Sequence, residues 1–275
     1  MLCLCALLFA GSVLAAQEQP ALRVGIAPFN PPATLFKVHQ PLRAHLEKTL
    51  GRKVMLYSSP SHARFLEDSL EDDFDIVITP PHFGVIDLQR GYKPLVRYAA
   101  QLDFIFVVRA NDKSITRPQD LRNKKIAFPD RMALLSIGGM TFLREETGML
   151  PKVDYQADER PNHAAAMMAA VLGETDAAVT TLAPFNQMPA DVRSKLKIFS
   201  WGKKLPHLMS LAHSRLGEKE IQKIKLAFES FPATEAGRQF FLSTGYDGYV
   251  PITKADIDQM QPTVELTLEM MAEAP

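Results

Sequence analysis

The chain of 275 residues has two cysteines, Cys3 and Cys5, and none beyond them. A mature chain that has lost both has no thiol, which excludes a disulfide framework, thiolate metal sites and cysteine catalysis together. An excess of one charge is also lacking, because 31 basic and 31 acidic side chains sum to zero and no long run of either sign occurs. That balance argues against nucleic acid as a partner. The chain has no Gly-x-Ser-x-Gly, no His-Glu-x-x-His and no Walker loop, and its seven histidines are scattered without metal-ligand spacing. Neither an enzyme nor a metal or cofactor site is expected. The acidic cluster Glu71, Asp72, Asp73 and Asp75 reads as a solvated turn at a helix end.

Long apolar runs are scarce as well. The run MLCLCALLFAGSVLAA over residues 1–16 offers roughly 15 apolar residues, short of the ~20 that a spanning helix needs. It ends in small residues, and Val13-Leu14-Ala15 fits the small-x-small cleavage rule, so it reads as a secretory signal peptide and predicts a periplasmic protein. No Lys or Arg precedes the apolar core. An uncleaved anchor is the other reading.

What remains is 47% apolar, enough to bury one large core or two medium ones. The residues from Lys124 to Gly148 show the organising unit. Lys125 to Phe128 is a short apolar strand, Pro129 and Asp130 break it, and Met132, Leu135, Ile137, Met140 and Leu143 recur at roughly helical spacing up to Gly148. The first turn of such a helix offers unpaired N–H groups and the positive end of its dipole, a natural anion site. Apolar side chains nevertheless occupy the gripping positions, Met132 to Leu135.

The same alternation runs through the chain. Leu22 to Ala27, a turn at Pro28 to Pro32, a helix marked by Leu35, Val38, Leu42, Leu46 and Leu50, and Lys53 to Tyr57 form a β-α-β unit. A helix at His62 to Leu70, a strand at Phe74 to Ile78, a short helix at Phe83 to Gly91 and a strand at Leu95 to Tyr98 follow, then a strand at Phe104 to Arg109. A second series adds strands at Lys152 to Tyr155, Ala177 to Thr180, Leu196 to Ser200 and Leu208 to His213, with a helix from Asn162 to Leu172. The C-terminal helix, Asp256 to Ala272, is expected to be interrupted at Pro262. Two α/β halves with mostly parallel sheets are predicted.

In this order the pieces LRVGIAPF, DFDIVITPPHF, FIFVVRAND, ITRPQDLRNKKIAFPD and NHAAAMMAAVLGETDAAV resemble the phosphonate-type periplasmic substrate-binding proteins of ABC transporters. The resemblance implies the type II periplasmic binding protein fold, with two α/β lobes joined by two crossover strands, Phe104 to Val108 and Leu208 to Ala212. Lobe 1 would comprise residues 21–103 and 208–275, and lobe 2 residues 104–207. It further implies a small-molecule ligand held between the lobes and an ABC permease as partner. A sensor of the same fold that reports to a membrane histidine kinase is the alternative. Each lobe looks complete, so a monomer is expected.

Loops after strands are where an open α/β sheet binds ligands, which nominates Phe29, His82 and Thr180. His163 matches the family's histidine at a helix start. Phe104 stands where the family has a tyrosine, and keeps the ring without the hydroxyl. Asp130 to Ser136 stands where the family has Asp-Pro-x-Ser-Thr-Ser-Gly, and its three hydroxyl positions are Ala133, Leu134 and Leu135. Arg131, Met132 and Ser136 complete the candidate set, with Arg131 as a guanidinium replacement for the lost donors. A ligand less charged than a phosphonate, with an organic face, is expected.

Overall fold

The computed structural model describes residues 19–272, so the leader expected over residues 1–16 lies outside the described residues. No described helix is long and apolar enough to cross a membrane. The chain opens with β1 (Leu22–Ile26), α1 (Pro32–Leu50), β2 (Val54–Tyr57), α2 (His62–Leu70), β3 (Ile76–Thr79), α3 (Pro81–Gln89) and β4 (Tyr92–Tyr98). Next come β5 (Gln101–Arg109), β6 (Lys125–Phe128), α4 (Leu134–Thr147), β7 (Gln156–Glu159) and α5 (His163–Leu172). β8 (Ala177–Thr181), α6 (Leu182–Gln187), α7 (Ala190–Arg193) and β9 (Leu196–Pro206) complete that series. The last stretch holds β10 (Met209–His213), α8 (Glu218–Ser230), α9 (Glu235–Thr244), β11 (Tyr249–Val250) and α10 (Lys254–Ala272).

Two sheets result, ordered β11-β4-β10-β3-β1-β2 and β7-β6-β8-β5-β9. In each, three parallel strands are followed by one antiparallel strand that arrives from the other series. β10 enters the first sheet between β3 and β4, and β5 enters the second between β8 and β9. The chain therefore passes between sheets twice, at Ala99–Ala100 and at His207–Leu208. β5 is paired with β9 from Gln101 onward, so the first passage lies ahead of Phe104.

Burial explains which strands sit where. β3, β8 and β10 are buried at every position, as central strands covered on both faces must be. α5 covers one face of the second sheet with Ala166, Met167, Ala169 and Ala170 against Ile105, Val107 and Ala178. Its start is fixed by Asn162, whose side chain accepts the Ala165 N–H at 3.0 Å, and its end by Gly173 at φ 77°.

Three expectations are corrected. The strand expected at Lys152 to Tyr155 is a turn, with Lys152 at φ 66° and the Asp154 carboxylate accepting the Leu150 N–H, and the strand begins at Gln156. Pro262 does not interrupt the last helix, which runs unbroken from Lys254 to Ala272. Nor is the acidic cluster merely solvated, since Asp75 is buried, accepts the Arg23 N–H and pairs with Arg215 at 2.8 Å.

Candidate functional site

A cavity lies between the two sheets, beyond the carboxyl ends of their parallel strands, where ligands of open α/β folds sit. Its walls come from both halves. Phe29, His62, Pro81 and Tyr246 belong to the first, and Leu134, Leu135, His163 and Thr181 to the second. It is small, with about 40 Å³ open to the centres of water molecules.

Hydrogen bonds join the two halves around the cavity. The His62 N–H donates to Oδ2 of Asp130 at 2.8 Å, and His82 Nε2–H donates to the Met132 carbonyl at 3.1 Å. The His163 N–H donates to the Phe29 carbonyl at 3.4 Å, and the Asn30 amide to Oε1 of Gln187 at 2.7 Å. Such bonds are available only while the halves are together, so the conformation is a closed one.

Helix starts converge on the same space. α2 begins at His62, α3 at Pro81, α4 at Leu134 and α5 at His163, and each of these residues lines the cavity. Their dipoles bring a partial positive charge, roughly +0.5 per helix end. At α4 the turn is built by Asp130, whose Oδ1 accepts the Met132 N–H at 2.8 Å while its carbonyl accepts the Ala133 N–H. The amides of Leu134 and Leu135, in the first helical turn, are those the helix itself cannot satisfy. Burial pushes the Asp130 carboxyl up, but the His62 side chain beside it and the N–H groups of His62 and Met132 outweigh it, so its net shift is downward.

Three histidines around the cleft, His82, His163 and His207, are held neutral. Burial lowers His163 to about 3, with His62 adding repulsion, and the same two causes outweigh the bond to Met132 and lower His82 to about 3. His207 falls to about 3 through burial and the nearby Arg97. His163 Nδ1 lies 3.1 Å from Oγ1 of Thr180, which fixes the ring.

Of the sequence candidates, Phe29 and His163 line the cavity, and Thr180 reaches it through His163. His82 and Met132 form a buried bond behind its wall, and Ser136 is buried with its hydroxyl on the Pro129 carbonyl at 2.7 Å. Arg131 is exposed and outside the cavity, with its N–H on Glu159 and its guanidinium 3.5 Å from the Met270 carbonyl. Phe104 is also outside it, packed between Gly138 and Gly202 and against Phe142 at 5.7 Å between ring centres. Sequence reasoning missed His62, His207 and Tyr246. A histidine directly after the helix-capping Ser61, and another between two strands, were the available signals.

Comparison with known proteins agrees with this architecture. A binding-protein component of an ABC phosphonate transporter from Pseudomonas aeruginosa superposes with a TM-score of 0.77 at 11% identity, covering 93% of this chain and 97% of that one. PhnD1 from Prochlorococcus marinus, in complex with methylphosphonate, gives 0.76 at 16% identity, with 92% and 99% covered. The alkanesulfonate-binding protein SsuA from Xanthomonas axonopodis pv. citri, bound to MOPS, gives 0.62 at 15% identity, with 94% and 96% covered. At these identities the likeness establishes the type II periplasmic binding protein fold. Residues 24–257 match the family described as "ABC transporter, phosphonate, periplasmic substrate-binding protein", and the chain belongs to that family.

Proposed function

We propose that this protein captures a small ligand in the cavity between its two halves and presents the closed form to the membrane permease of a phosphonate-type ABC importer. The lobes would be residues 21–100 with 208–275, and residues 101–207, moving about the passages at Ala99–Ala100 and His207–Leu208. The observation that carries this reading is a cavity walled by both halves, with hydrogen bonds joining the halves around it. A ligand that touches both walls favours the closed state over the open one by its differential affinity.

Phe29, His62, His163 and Tyr246 would contact the ligand, together with the first-turn amides of α4. The chain would act as a monomer, without catalysing a reaction, after export through the leader over residues 1–16. The family assignment is to transport proteins, so a sensor signalling to a histidine kinase is not favoured. A thermal-shift screen of the chain from Gln17 onward against phosphonates, phosphite, sulfonates, amino acids and small organic acids tests the reading. A ligand at 100 times its Kd stabilises by ~2.7 kcal/mol, a rise of a few degrees. No shift with any compound would contradict capture of a small ligand.

A further inference from the structure

The walls of the cavity contain no lysine, arginine, aspartate or glutamate among the described residues. Their polar side chains are three histidines, Thr181 and Tyr246. His207 Nδ1 accepts the Leu208 N–H at 2.8 Å, so in the neutral ring the proton sits on Nε2 and the ring is an uncharged donor. Burial keeps His163 neutral as well, and it pushes the Tyr246 phenol up so that the hydroxyl stays protonated. Asp130 holds a carboxylate at the base of the α4 turn, against His62 at 3.4 Å.

Charge accounting then separates two kinds of anion. A dianion brought into this space would lose its hydration and meet no lysine or arginine, only helix ends of roughly +0.5 each and a His62 imidazole already beside the Asp130 carboxylate at 3.4 Å. Four such ends less one carboxylate leave roughly one positive charge, which is what a monoanion needs. Beside them, Phe29, Leu102, Leu134 and Leu135 form an apolar wall that cannot replace lost hydrogen bonds. Space is limited too, since only about 40 Å³ is open to the centres of water molecules.

Resting on the cleft-capture reading, we propose that the ligand is a small monoanion carrying a short apolar group, and that the site discriminates against dianions of the same shape. The charged head would sit on the first-turn amides of α4 and the histidine donors, and the apolar group against Phe29, Leu102 and Leu134.

Shape-matched probes test this directly. Ethanesulfonate keeps a single charge throughout, whereas ethylphosphonate passes from monoanion to dianion between pH 6 and pH 9. Calorimetric titration of each probe at both pH values separates ligand charge from any titration of the protein, because the sulfonate reports the latter alone. The expected result is sulfonate binding at both pH values, and phosphonate binding that weakens by about ten-fold or more at pH 9 relative to the sulfonate, as the monoanion is depleted. Phosphonate binding that is as tight or tighter at pH 9, with the sulfonate weak or inert, overturns the charge preference and leaves cleft capture standing. Binding of neither probe, alongside a thermal shift with an uncharged or cationic compound, also overturns it. If no compound shifts the protein at all, the underlying reading fails.

Discussion

The His62 N–H and the Asp130 carboxylate meet at 2.8 Å although they belong to opposite sheets, and both residues are buried. The same carboxylate holds the Met132 N–H through its other oxygen. One side chain thus shapes the α4 turn and ties it to the far wall of the cleft.

Asp130→Asn keeps the shape and removes the charge from this tie. Hydrogen bonds to charged groups net ~1.5–3 kcal/mol each, so weakening the cross-cleft bond should raise the Kd of the best ligand roughly 10- to 100-fold. Calorimetry on the folded variant, with folding checked by its unfolding curve, gives the comparison. An unchanged Kd would mean that the tie has no part in closure.

Acid should destabilise the protein. Folding lowers His39 to about 4 and His82, His163 and His207 to about 3, chiefly by burial, against 6.5 for a free histidine. Between those values the unfolded chain binds more protons, so stability is complete above pH 6.5 and is lost as pH falls toward 3. Each histidine contributes up to about 1.4 kcal/mol per pH unit in that window. Asp87 works the other way, because burial outweighs its bond from Ser69 and raises it from 3.8 to about 7, so its contribution is lost as pH rises through that range. Four histidines outweigh one aspartate. Urea unfolding should therefore show lower stability at pH 5 than at pH 8, and Asp87→Asn should gain stability at pH 8; equal stability at the two pH values would contradict the buried-neutral assignment.

Gly202 is required by Phe104. A Cβ at position 202 would overlap the Phe104 ring, which also rests against Gly138. Gly202→Ala should cost ~1–3 kcal/mol by overpacking, and Phe104→Leu in the same chain should recover part of it. Strictly additive losses in a double-mutant cycle would show that the two sites do not touch.

The fold was legible where burial is complete. Ile76 to Thr79 and Ala177 to Thr181 are apolar or small at every buried position, and both were readable as strands. The edge strand Gln156 to Glu159 was not, because none of its positions is buried and three of its four residues are polar. Helix α6 was hidden for another reason, as its six residues carry too few turns to show a period. At the site, Phe29 and His163 could be read from their places after a strand and at a helix start. Arg131 stands outside the cavity because the Asp130 carboxylate turns inward to His62 and Met132, which leaves the following side chain in solvent. Phe104 lies two residues beyond Leu102 on the same face of β5, far enough to pass under α4 rather than into the cavity. His62, His207 and Tyr246 come together only through tertiary folding, which no local spacing records.

Closure around a ligand is the central claim, and a distance across the cleft tests it most directly. Lys37 and Asp191 are exposed on opposite halves, beside the groove between α1 and the α6–α7 segment. From Gln17 onward the chain has no other cysteine, so Lys37→Cys with Asp191→Cys gives two unique labelling sites. Energy transfer between labels there should report a mixture of long and short distances without ligand. Saturation with the compound that gives the largest thermal shift should collapse it to the short one. A distribution that the ligand leaves unchanged would contradict hinge closure as the means of capture.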